Sequence, residues 1–261
     1  MFSYSKQPLS IPGIIAGGWR LYCTAFKHLV FLGLLAGIVA SGQLILQASH
    51  LVTMPAPSQT PGEAMSGGVT ALIVLLLDIW MLASIFALIG KTAINEPTNV
   101  GKALLQTLRR YPIILIAGIL SGLMVVLGTI AFFLPGVILM VYLVFVFPLL
   151  VIDKKGIFSS IGNSFKLATG SWWHTFFTLL FPTIVILILL IPIELPLLMH
   201  AKQATPTPPS WGIVIYNILL ITFAIPCFYS IVVVLFNNVK LRKKLSLERK
   251  ALKLKQGEAN V

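Results

Sequence analysis

The chain has 261 residues, 57% of them hydrophobic and only 10% charged, with a formal net charge of +12. An ordinary soluble domain is about 45–50% apolar and about 25% charged. A water-soluble fold of this length cannot hide so large an apolar excess, so the composition excludes a soluble enzyme and points to an all-α, polytopic membrane protein.

In chain order, residues 1–27 carry Lys6, Arg20 and Lys27 among Pro12, Gly13, Gly17 and Gly18. They do not read as a secretory peptide, whose apolar region comes early and ends at a small-residue cleavage site. Residues 10–27, SIPGIIAGGWRLYCTAFK, read as a short amphipathic segment. The first apolar span is 28–50, with Gln43 and Gln47 four apart on one helical face. Residues 51–68 are rich in Pro, Ser and Gly and read as a loop. The second span, 69–90, carries Asp78 near its middle, where a carboxylate is costly and reads by default as functional or paired. A second amphipathic segment covers 98–111.

The third and fourth spans are 112–133 and 137–152, joined by a tight turn at Pro135-Gly136. Asp153 stands at the exit of the fourth, followed by Lys154 and Lys155. Its expected duty is to cap the next helix or to pair with a nearby lysine. Residues 156–173 form the third amphipathic segment. The fifth span, 174–199, holds Glu194 between Pro192 and Pro196 and is expected to be broken there. The sixth, 211–239, has Asn217 in its outer third. Residues 1–245 thus form one transmembrane helical domain, and 246–261 a basic cytoplasmic tail into which the sixth helix continues.

With the N-terminus on the cytoplasmic side, 18 of the 19 Lys and Arg residues fall inside and only Lys202 falls outside. Both termini are therefore expected to be cytoplasmic. The first and third amphipathic segments align at constant offset, pairing Ile15 with Ile161, Arg20 with Lys166, Leu21 with Leu167 and His28 with His174. The middle one fits with Leu108 at the place of Leu21. The expected architecture is six transmembrane helices in three hairpins, each preceded by a cytoplasmic amphipathic interfacial helix. Arg20, Lys166, Arg109, Arg110, Trp172 and Trp173 are the candidate lipid-headgroup contacts, since basic and aromatic side chains suit that depth.

Nucleotide-binding loops, metal-ligand spacings and nucleophile motifs are missing, and no cofactor is expected. Cys23 and Cys227 do not read as a disulfide pair. Gly-x-x-x-Gly at 33–37 and 118–122 suits close helix contact. Asp78, Glu194, Gln43, Gln47 and Asn217 form a candidate polar cluster inside the membrane. Three functions stay open: a non-enzymatic organiser of phospholipid or of a partner membrane protein; a small proton- or cation-coupled transporter using Asp78 and the fifth span; and a membrane enzyme with Asp153 and His174 as its pair. Anionic phospholipid is the expected partner, with a membrane protein or a second copy as alternatives. Nucleic acid is not expected, because the basic tail leaves a membrane span directly and lacks interleaved aromatics.

The stretch LPGVILMVYLVFVFPLLVIDKKGIFSSIGNSFKLATGSWW, with Pro135-Gly136, Pro148, Asp153, Gly156, Ser164, Leu167 and Trp172, resembles the YciC-type bacterial inner-membrane proteins. These are six-span proteins without an established activity. The stretch is similar, more distantly, to the membrane portion fused to some glycerophosphodiester phosphodiesterases. The resemblance implies location in the bacterial inner membrane, six spans and lipid-linked work. It does not imply hydrolysis, because no phosphodiesterase domain is attached.

Overall fold

The computed structural model describes residues 7–49, 61–97, 99–201 and 209–258, and every regular element among them is helical. Lys6, Lys202 and residues 51–60 lie outside the described residues. The helices are α1 Ile11–Thr24, α2 Phe26–Ala40, α3 Gly42–Ala48, α4 Pro61–Ala93, α5 Val100–Arg109, α6 Tyr111–Ala131, α7 Phe133–Leu143, α8 Val146–Val151, α9 Ile157–Ala168, α10 Trp172–Ala201 and α11 Trp211–Glu258. Five are long and apolar enough to cross a membrane, counting α7 and α8 together, and α1–α2 makes a sixth if that bent pair is one span. The chain is all-α and laid out as a polytopic membrane protein.

Several boundaries differ from those expected. The first span is not one helix: α2 stops before Ser41, and α3 follows as a separate short piece. At the other end of α2 the chain turns by 89° out of α1. Thr24 Oγ1 donates to the Arg20 carbonyl at 2.8 Å beside that bend, a contact that loosens the helical ladder. Helix α4 begins at Pro61, so 61–68 are helical rather than loop; proline suits the first position, where its missing N–H is not needed. The turn between α6 and α7 lies at Phe132, in extended conformation, and Pro135 falls within the first turn of α7. Gly136 instead serves contact. A Cβ there would strike Thr129 Oγ1 and lie 2.9 Å from the Thr129 Cα, so α7 rests directly on α6.

The fifth span is not broken. Helix α10 runs continuously with Pro182, Pro192 and Pro196 inside it, as transmembrane helices tolerate when local adjustments satisfy the freed carbonyls. Helix α11 likewise passes Pro226 and continues without interruption through residue 246.

Each short helix lies on a longer one: α1 on α11, α5 on α4, and α9 on α7 and α8. Small or polar residues make the contacts. A Cβ on Gly18 would sit 2.5 Å from Ile231 Cγ1 and 2.7 Å from its Cα. The Ser84 and Thr107 hydroxyls are 2.7 Å apart, and Ser164 donates to the Tyr142 carbonyl at 2.6 Å. The offset that aligns the first and third segments superposes three buried positions, Ile14 on Ser160, Gly18 on Ser164 and Tyr22 on Ala168, while the fully buried Leu21 falls on the half-buried Leu167. The middle helix does not follow the expected pairing. Leu108 is exposed where Leu21 is fully buried, and α5 buries Val100, Ala103 and Thr107 instead. Leucines match one another cheaply in an apolar chain; the side that packs is set by the small residues.

The core gathers at the end of the bundle where the lysines and arginines accumulate. Residues from Ala83 to Ile89 on α4, Phe145 to Val151 on α8, and Ile231 to Phe236 on α11 are buried almost throughout. Phe145 and Phe236 meet at 5.8 Å between centroids, and Phe86 meets Tyr229 at 4.4 Å. Away from this end the helices touch at few points. Gly33 and Gly37 bring α2 against α11, where a Cβ would lie 2.5 Å from the Thr222 carbonyl oxygen and 2.7 Å from that of Ile218. The 118–122 pair does not act this way: a Cβ on Gly122 would meet nothing within 4 Å.

Candidate functional site

Three of the five expected intramembrane polar residues come to one level. Ser41, capping α2, donates to Asn217 Oδ1 on α11 at 3.3 Å. The following helix α3 carries Gln43, whose Oε1 is buried without a partner among the described residues, and the buried Gln47. Helix α3 also packs on α4 at Val74, one turn from Asp78. Asp78 itself is half-buried, and no described residue hydrogen-bonds to it. Glu194 is exposed on α10, apart from the others.

At the basic end the contacts are dense. Asp153 is held by Lys240 of α11, with Nζ 2.7 and 2.6 Å from its two carboxylate oxygens. The N-cap of α9 is Gly156, with no side-chain cap. Asp153 therefore does not cap α9, and its ion pair is with Lys240 of α11 and not with the lysines that follow it. Lys240 also lies over the Phe236 ring at 4.3 Å. Arg110 was expected to meet lipid headgroups, but its guanidinium is committed to protein. It donates to the carbonyls of Leu150 at 3.0 Å, Lys154 at 2.9 Å and Lys155 at 3.4 Å. The Leu150 carbonyl is one that the end of α8 leaves without an intrahelical donor, the other two belong to the loop that follows, and Lys154 sits there in the left-handed region at φ 54°. Arg20, Arg109, Lys166 and Trp173 are exposed, while Trp172 is half-buried and stacked on Phe176 at 5.2 Å.

Sequence reasoning missed a clamp on residues 8–9. Asn238 Oδ1 accepts the Leu9 N–H at 2.8 Å, and Arg242 Nη2, one turn further on, donates to the Leu9 carbonyl at 2.7 Å. The same Nη2 lies 3.2 Å from His174 Nε2 at the start of α10. The polar pair Asn237-Asn238 at the end of an apolar run was the only signal available. His174 thus meets Arg242, and among the described residues no hydrogen bond joins it to Asp153. The pair named for a membrane enzyme does not assemble.

Two apolar grooves flank α10. One, of about 560 Å³, lies against α7 and includes Trp172, Trp173 and Tyr142. The larger, of about 620 Å³, runs between α10 and α11 beneath α1. Its roof is Ile15, Trp19, Tyr22 and Phe26; its walls include Phe181, Val185, Leu219, Phe223 and Ala224. Within it the Tyr22 side chain is 3% exposed, and its hydroxyl has no hydrogen-bond partner among the described residues. Tyr216, on the opposite wall, satisfies its own hydroxyl on the Leu189 carbonyl at 2.9 Å. Cys227 also lines this groove, and both it and Cys23 are free thiols. The groove is large enough for a ligand of lipid-chain or drug size. Arg20, next to Trp19 at the roof, is an exposed cation at its margin. No family model, no curated protein and no solved structure matches the chain, so the functional argument rests on its sequence and geometry.

Proposed function

We propose that this is a non-enzymatic protein of the bacterial inner membrane, the location its resemblance to the YciC-type family implies, and that it binds and organises phospholipid, the lipid-linked work implied by its more distant similarity to the membrane portion fused to some glycerophosphodiester phosphodiesterases. In this reading six spans form three hairpins. Each is preceded by an interfacial helix, α1, α5 or α9, and both termini are cytoplasmic. The recurring position of the three short helices supports it, as do the exposed cations Arg20, Arg109 and Lys166 that they carry. The observation that carries the proposal is the open apolar groove beneath α1, walled by α10 and α11, with the exposed Arg20 at its margin. An acyl chain lying along α10 fills the groove. Arg20 then stands near the phosphate.

The test is native mass spectrometry of the full chain extracted from membranes. Leu219→Trp and Ala224→Trp each fill the groove. Both variants are expected to lose co-purifying phospholipid while the thermal midpoint in detergent holds. Wild-type lipid retention in both variants defeats the reading.

A second reading, a small proton- or cation-coupled transporter, rests on Asp78, which is half-buried with no hydrogen bond from any described residue. The continuity of α10 removes the broken helix that reading first relied on.

A further inference from the structure

We propose that the part of α11 beyond Lys240, together with Pro8, forms a phosphate-binding site. The site stands on its own geometry and does not rest on the groove beneath α1.

Helical spacing places Arg242, Ser246, Arg249, Lys250 and Lys253 on one face of α11, and with Pro8 they line a cavity of about 340 Å³. Four of these residues are cationic and none is acidic. The nearest acid on this stretch, Glu248, reaches Lys244 at 3.9 Å, neither of which lines the cavity. Arg249 and Lys253, four apart, repel each other along the helix. A face of this kind is ordinarily solvated and flat. Here it is walled, because Asn238 and Arg242 hold both backbone groups of Leu9 and so fix Pro8 opposite the helix.

The same contacts orient the guanidinium. Arg242 uses Nη2 on Leu9 and His174, while its Nε is buried without a partner. Asn238 is 5% exposed, and its Nδ2 is also unpartnered. The cavity lining itself carries four cations, the Ser246 hydroxyl and no carboxylate, so its donors outnumber its acceptors. Arginine and lysine only donate, so the missing component is an oxyanion. A carboxylate brings a single charge and two oxygens. A phosphate brings more of both, and its geometry suits the arginine fork. The phosphate group can come from a lipid phosphomonoester at the membrane surface or from a soluble phosphate compound, and the two sources share this chemistry.

The experiment uses the purified full chain in a non-ionic detergent. Binding of radiolabelled inorganic phosphate is measured by equilibrium dialysis. The same label is then competed with mixed micelles that carry phosphatidylcholine alone or phosphatidylcholine with phosphatidic acid. Arg249→Gln with Lys253→Gln removes two site cations and leaves the Leu9 clamp intact; Lys243→Gln with Lys244→Gln removes the same charge outside the cavity. The site variant is expected to bind phosphate about tenfold or more weakly, and the control to stay near wild type. Displacement of the label by phosphatidic acid micelles, and not by phosphatidylcholine micelles, identifies a lipid source; displacement by unlabelled phosphate but not by phosphatidic acid identifies a soluble one. Either result supports the site. Equal losses in both variants, or no saturable binding of any of these probes, overturn it. Ala224→Trp leaves this binding unchanged, which separates a failure here from a failure of the groove.

Discussion

At the basic end, Phe86, Phe145, Leu149 and Phe236 lose nearly all their surface to one another. On α10, by contrast, only 11% of the most apolar stretch is buried, and on α6 only 17%. Both regions are rich in Leu, Ile, Val and Phe, so hydrophobicity does not separate them. Surroundings do. Apolar surface gains by leaving water, but little by leaving hydrocarbon, where helices associate through close contact and polar bonds instead. The basic end accordingly closes around large side chains. In the other half, helices meet where a glycine lets backbones approach, at Gly33, Gly37 and Gly136, or through polar bonds such as Ser41 to Asn217 and Tyr216 to the Leu189 carbonyl.

The largest expected effect contrasts two glycines. Gly18→Leu drives a side chain into the Ile231 backbone and is expected to cost about 3 kcal/mol or more, or to prevent folding. Gly122→Leu enters open space and is expected to change stability by less than about 0.5 kcal/mol. Denaturation midpoints of the two variants in detergent decide it; similar losses would break the comparison. Next, Leu149→Ala, at a fully buried position, should cost about 3 kcal/mol. Leu187→Ala, 57% exposed on α10, should stay within about 0.5 kcal/mol. A matched loss at Leu187 means that something covers α10, such as a second copy of the chain.

Smaller is the pair between α8 and α11. Lys240 and Asp153 are 38% and 20% exposed as side chains, so solvent weakens their attraction. A double-mutant cycle of Lys240→Met and Asp153→Asn should give a coupling of about 1 kcal/mol that shrinks as salt is raised. A zero coupling at low salt would leave the two units joined by packing alone. Smallest in stability is Asp78→Asn, expected to shift the midpoint by less than about 0.5 kcal/mol, because no described residue depends on the carboxylate for a hydrogen bond. Loss of proton or cation flux in proteoliposomes of this variant, with folding intact, would favour the transporter reading over the lipid one.

By itself the sequence determined what depends on local composition. The apolar runs set the long helices, and the alternating small and bulky residues of 10–27, 98–111 and 156–173 set three short ones; helices appear at all three places. The glycines at 33 and 37 marked a real close contact. Tertiary structure decided everything that depends on which faces meet. Arg109 and Arg110 are neighbours of the same type, yet one is exposed and the other is bound to the Leu150 carbonyl of α8 and to two carbonyls of the loop after it. Asp153 finds Lys240, 87 positions away, instead of the lysines beside it. Helix formation is a property of consecutive residues, whereas a partner across the bundle is chosen by the rotation and depth at which two helices pack, and these follow from side chains far apart in the chain.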